Sequence, residues 1–333
     1  MSSKGCQYYL FFPCVSVILF LLSVSGCRQA EEAVYVFRAS LLVNEDHSWY
    51  KALAFFAERL EEESGGRMKV EVYPSEQLAK EIEAIRLIQA GVIEMTVTGA
   101  LLSNWFESAV FCELPFFFTD STEMLSFIRG DIGQRIEKEM IQRTGLRPIC
   151  FFQRGPRQLT SNRPIRHPDD LNDLIIRVPN VPAYVTAWSA LGAKPTPMAF
   201  SEVFTSLQHG TIEAQENPFA LIHDAGFAEV QSYVNLTEHV LSWVYPVVGE
   251  EAFQELPEDL QNIFLETAEE MQAYERKIFL AKENIVQVAL QEKGMEFIEV
   301  DKEAFKKKCQ QAIFNSLPLD MQRVYAEFQR IQE

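Results

Sequence analysis

Cysteine, histidine, glycine and positive charge are all scarce in this 333-residue chain, which has six cysteines, five histidines, 15 glycines and 30 lysines plus arginines. The cysteines form no CxxC pair, and His47, His167, His209, His223 and His239 show neither i,i+4 zinc spacing nor an HExxH motif, so metal and dithiol redox chemistry are excluded as leading readings. The glycines build no phosphate-cradling loop and no GxSxG elbow, which removes nucleotide chemistry and serine hydrolysis. Against 47 acidic side chains the basic ones leave a net charge of −17, a balance unsuited to nucleic acid or to electrostatic adhesion on a membrane. Adjacent carboxylates such as Asp169 and Asp170 would diverge on a helix, so they make no general acid–base pair. The sequence therefore reads as a non-enzyme without metal or cofactor.

Long apolar runs are also lacking, with one exception at the start. Lys4 is followed by a mostly apolar stretch from Tyr8 to Val24, the n-region and h-region of a secretory signal. The stretch ends in Val24-Ser25-Gly26-Cys27, which looks like a bacterial lipoprotein processing site with Cys27 lipidated. An uncleaved membrane anchor is the alternative. Processing would leave 307 residues with 29 basic and 47 acidic side chains, a net of −18 (29 − 47), and enough chain for two cores. Of the cysteines, Cys112, Cys150 and Cys309 would remain, and buried free thiols are the expectation, with one disulfide still open.

After a polar tether at 28–33, the pattern is strand, helix, strand, helix, strand. Val34–Ala39 reads as a strand, Ser48–Glu63 as an amphipathic helix, and Met68–Tyr73 as a strand. A helix capped by Ser75 and running to Gln89 follows, then a strand from Ile93 to Thr98. This is the grammar of a parallel α/β layer. His47 is weighed as a metal or proton-transfer group against a loop residue leading into the helix. The aromatic run Glu113–Phe118 is weighed as core packing against a pocket wall. Pro148–Phe152 reads as a strand, Pro195–Pro197 as a rigid connector, and Pro257–Gly294 as an almost unbroken helix.

Function concentrates between Gly155 and Pro218. Ile175–Val178 is a short apolar run stopped by Pro179, and Arg177 lies at its carboxyl end, where open α/β sheets place their ligands. A guanidinium there grips a carboxylate with two parallel hydrogen bonds and is costly to bury alone. Arg177 is therefore the expected anchor for an anionic small molecule. Asn180 offers donor and acceptor groups beside it, and Thr98 and Gly99 end a strand and are expected to face the ligand. Asn217 either completes the carboxylate's hydrogen-bond shell or merely forms an Asn-Pro turn.

The ordered set Arg157, Thr160-Ser161-Asn162-Arg163, Arg177-Val178-Pro179-Asn180, Pro195-Thr196-Pro197-Met198, Glu202-Val203 and Glu216-Asn217-Pro218 resembles the solute receptors of TRAP transporters, the DctP type. The likeness extends upstream through Gly66–Gly91 and Leu114-Pro115-Phe116, and downstream to Leu256–Leu260. It implies a two-domain α/β fold of the periplasmic-binding-protein kind, with mixed sheets, an interdomain cleft and a long helix lying against both domains. The corresponding division is 34–153 plus about 243–281, and 154–242 plus about 282–333. The resemblance implies Arg157 as a second ligand-facing arginine, with Arg154 and Arg163 as rivals, and Phe200 as an aromatic border of the ligand. Similar receptors for sugar acids carry an acidic side chain where this chain has Gly99, with Leu101, Leu102, Trp105 and Phe106 behind it, so a more hydrophobic organic acid is expected. The implied partners are the membrane permease subunits and a helical-repeat lipoprotein, with no ATPase. The alternative is a sensing or partner-binding lipoprotein that uses the same fold without transport.

Overall fold

The computed structural model describes residues 34–332, so the signal segment and Cys27 lie outside the described residues. The chain opens with β1 (Tyr35–Ser40), α1 (Ser48–Glu63), β2 (Met68–Tyr73), α2 (Glu81–Gln89) and β3 (Met95–Thr98). β1 pairs in parallel with both β2 and β3, which is the arrangement the strand–helix alternation demands. α1 starts on His47, whose Nδ1 accepts the Trp49 amide at 3.2 Å. Burial pushes that imidazole down to about 3, so it caps as a neutral ring. α2 starts later than Ser75. Ser75 and Glu76 hold left-handed backbone (φ 54° and 56°) and donate their amides to Val43 and Leu41, which keeps this segment out of the helix.

Two short 3₁₀ turns, Ala100–Asn104 and Glu107–Glu113, lead to α3 (Ser121–Arg129) and α4 (Asp131–Thr144). The expected Pro148–Phe152 strand is instead two pieces, β4 (Leu146–Pro148) and β5 (Phe152–Gln153), with Ile149 between them still donating its amide to the Pro246 carbonyl at 3.0 Å. The next section contains β6 (Arg157–Ser161), β7 (Ile175–Val178), α5 (Pro182–Leu191) and β8 (Lys194–Pro197). β8 is a strand rather than a connector: it runs parallel to β7 at the sheet edge, a position where missing proline donors are tolerated. Then come α6 (Val203–Gln208), β9 (Ala214–Pro218), α7 (Phe219–Asp224) and β10 (Tyr233–Asn235). Glu216, Asn217 and Pro218 lie inside β9, not beyond it, because each pairs with β6. The chain closes with β11 (Trp243–Gly249), α8 (Glu250–Gln254), α9 (Glu258–Glu292), β12 (Glu296–Ile298), α10 (Lys302–Ser316) and α11 (Leu319–Gln332).

The strands form two mixed sheets. The first has the order β2-β1-β3-β11-β4, with β5 also on β11, and the second the order β12-β10-β6-β9-β7-β8. The chain thus leaves the first sheet after β5 and returns to it through β11. The 35-residue α9 is about 52 Å long at 1.5 Å per residue and serves both layers. Leu260, Phe264, Ala268 and Met271 are buried with Phe37 and Phe56 under the first sheet. Val286 and Leu290, further along, are buried with Val203 and Ile212 beside the second. The aromatic run after Glu113 is core: Phe117 packs on Phe111, Phe127 and Tyr325, and Phe118 on Trp243 and Phe328. Cys112 and Cys309 are buried free thiols and Cys150 a half-buried one.

Candidate functional site

A small cavity of about 60 Å³ lies between the two sheets. Its floor is built by the three central strands of the second sheet. Because β9 is antiparallel to β6 and parallel to β7, Arg157 at the start of β6, Asn217 late in β9 and Arg177 late in β7 converge on one edge. Phe200 borders them, with the Arg177 guanidinium 6.0 Å from its ring centre. The first sheet supplies the roof: Gly99, Ala100 and Leu101 after β3, Val244 of β11, Trp49 of α1 and Glu81 of α2.

The two arginines differ in their partners. Arg157 is enclosed and held by Glu216: its Nε donates to Oε2, and its Nη2 donates to Oε1 at 2.7 Å and to the Glu216 carbonyl at 2.8 Å. Burial would penalise both charges, but their mutual attraction prevails, raising Arg157 and lowering Glu216 to about 2. His239 Nε2 lies 2.9 Å from the Glu216 carboxylate and its Nδ1 2.8 Å from the Thr237 hydroxyl, and burial lowers its pKa. Arg154 pairs with Glu113 through a single Nη1 bond to Oε1, and Glu113 also accepts from the Tyr184 hydroxyl at 2.7 Å. Among the described residues Arg177 has no carboxylate partner within ion-pair distance. It is 4 % exposed, and its Nε and Nη2 donate only to the Met198 carbonyl, at 3.1 and 2.8 Å. Burial without a counter-ion lowers it to about 10, so it stays charged at neutral pH.

Of the residues singled out from the sequence, Arg177, Arg157, Asn217, Phe200 and Gly99 line the cavity. Arg157 reaches the cavity already paired, its Nε and Nη2 on Glu216 and its Nη1 3.5 Å from a Glu113 carboxylate oxygen. Thr98 does not line it: its hydroxyl is fully buried and donates to Glu81 Oε1 at 2.8 Å. Asn180 lies outside, at the mouth, where its carbonyl accepts from Asn104 at 3.1 Å. Lys80 and Glu202 form an ion pair near the same opening. Arg154, a rival in sequence, reaches the wall through its pairing with Glu113, with its guanidinium 5.5 Å from the Trp49 ring centre.

Glu81 and Glu113 were not singled out from the sequence. Both line the cavity, as Gly99 does. A Cβ at Gly99 would lie 3.0 Å from the Trp243 carbonyl and 3.1 Å from a Val244 methyl, so close backbone approach explains the glycine. The walls combine apolar side chains, among them Leu42, Leu101, Leu221 and Val244, with these two carboxylates. Leu102 and Phe106 are core residues, whereas carboxylates from α2 and from the end of the Glu107–Glu113 turn face the cavity. The sequence signal for Glu81 existed only as an acid in the first turn of α2, a common surface feature.

A family model described as DctP, bacterial extracellular solute-binding protein, family 7, matches residues 39–318. A solute-binding protein of Roseobacter denitrificans is 47% identical over 272 residues, covering 82% of this chain and 84% of its own length. Among solved structures, a TRAP periplasmic solute-binding protein from Roseobacter denitrificans with bound L-galactonate superposes with a TM-score of 0.87 at 44% identity, covering 89% of this chain and 99% of that one. Another, from a Polaromonas species bound to D-erythronate, gives 0.84 at 28% identity, covering 89% and 98%.

Proposed function

Since this chain belongs to the DctP family of extracellular solute-binding proteins, we propose that it captures a polyhydroxylated monocarboxylate, of the sugar-acid class, in the cavity between its sheets. The two lobes would close about the acid, seat its carboxylate on Arg177 with Asn217 beside it, and turn its hydroxyls toward Glu81 and Glu113. The filled receptor would then deliver the solute to a TRAP-type permease, held near the membrane by lipid on Cys27.

The observation that carries this reading is the unpaired state of Arg177. A buried guanidinium satisfied only by one carbonyl leaves a hydrogen-bonding edge and a full charge for an incoming anion. Removal from water strengthens that pairing, which ties affinity to the enclosed state. The relatives' acids, L-galactonate and D-erythronate, are both open-chain hydroxy acids, and the cavity's mixture of carboxylates with an arginine that no described carboxylate pairs suits that chemistry.

Titration calorimetry with L-galactonate tests the reading. Binding is expected, and Arg177→Ala is expected to weaken it by about 2–5 kcal/mol with the melting transition retained. Unchanged affinity in a folded Arg177→Ala protein would remove Arg177 from the role. The membrane association tests the lipid: Cys27→Ser should release the protein into the soluble fraction.

A further inference from the structure

Counting charge around the cavity exposes an imbalance that the bound solute would create. Three arginines, Arg154, Arg157 and Arg177, face three carboxylates, Glu81, Glu113 and Glu216, on or directly behind its walls. Two of these carboxylates are committed to ion pairs, Glu113 with Arg154 and Glu216 with Arg157. Glu81 has no cationic partner within ion-pair distance among the described residues. One of its oxygens accepts from Thr98 at 2.8 Å, and its compensating charge is the unpaired Arg177 on the opposite wall. With all six groups ionised the empty site is neutral. A monocarboxylate that takes Arg177 for itself leaves a net −1 in an enclosed space, with Glu81 as the carboxylate that has lost its compensation.

We propose that Glu81 takes up a proton when a carboxylate solute seats on Arg177, so that solute capture by this receptor is linked to proton binding. The proposal rests on the reading of the cavity as an acid-solute site. Uptake restores neutrality and gives Glu81 an O–H donor for the solute while its other oxygen still accepts from Thr98. Every charged group facing Glu81 bears on the sign. Glu113 at the end of its 3₁₀ turn and Glu76 on the turn before α2 favour the neutral form, while Arg154 and Arg177 from the second lobe's side oppose it. The Lys80–Glu202 pair at the mouth is internally balanced. Desolvation already places Glu81 at about 7. At pH 8 it is mainly ionised in the free protein, and pairing of Arg177 with a solute removes one of the two opposing cations.

The test is calorimetry of the mature protein with L-galactonate at pH 8 in phosphate, HEPES and Tris. The observed enthalpy should vary with buffer ionisation enthalpy with a slope approaching one proton taken up, and affinity should fall by up to tenfold per pH unit above neutrality. Glu81→Gln, whatever its affinity, should show a slope of zero. A buffer-independent enthalpy in the native protein overturns the proposal while leaving the binding function intact. If L-galactonate produces no heat, the ligand assignment fails instead. The proposal is then decided by ¹³C NMR titration of the Glu81 carboxyl in the unliganded protein, where a midpoint in the ordinary glutamate range overturns it and one near neutrality supports it.

Discussion

Glu216 illustrates how a residue that touches no solute governs the site. It spends its whole carboxylate on Arg157 and His239, and so fixes the Arg157 guanidinium beside Arg177 while balancing its charge. Its removal would strand the Arg157 guanidinium in a buried site, so Glu216→Ala is expected to cost about 3–5 kcal/mol, read by urea unfolding at pH 7. The pH dependence has a defined sign. Glu216 is depressed to about 2 in the folded protein, below the unfolded value of about 4.3, so its contribution is complete above that value and is lost as pH falls toward 2. Glu216→Gln should flatten this acid limb; identical limbs in native and variant proteins would show that other carboxylates produce it.

At the scale of elements, α9 joins the two halves through side chains in both cores. Phe264 packs at 5.1 Å on both Phe37 and Phe56 and at 5.7 Å on Phe253, so Phe264→Ala should lower stability by about 3–5 kcal/mol, measured by denaturant unfolding. A loss below 1 kcal/mol would mean that the helix is not seated there. This helix was legible because 36 residues pass without a breaker, and Arg177 because an arginine inside a four-residue apolar strand has few structural uses. β8 was hidden by its prolines, which imitate a connector until an edge position excuses their missing donors. The late start of α2 was hidden because Ser75 is a good cap by composition, while its left-handed backbone depends on contacts with the loop after β1. Glu81 and Glu113 escaped notice for a different reason. One looks like a first-turn acid and the other like the edge of an aromatic core segment, and only the meeting of the two sheets brings both to one cavity wall.

The whole molecule carries −17, while the cavity walls balance three positive against three negative groups. An approaching acid therefore meets a long-range repulsion that the site itself does not cancel. Raising ionic strength from about 10 to 150 mM should speed association of L-galactonate by roughly two- to threefold, followed by stopped-flow mixing. A slower rate with added salt would mean that a positive funnel at the mouth dominates. Such an experiment needs no attached dye. Trp49 sits on the cavity wall beside Arg154, whereas Trp188 and Trp243 are sealed in the interior and Trp105 is half-buried, so the change in emission that Trp49→Phe abolishes reports an acid arriving at the wall. The receptor carries its own optical gauge of occupancy.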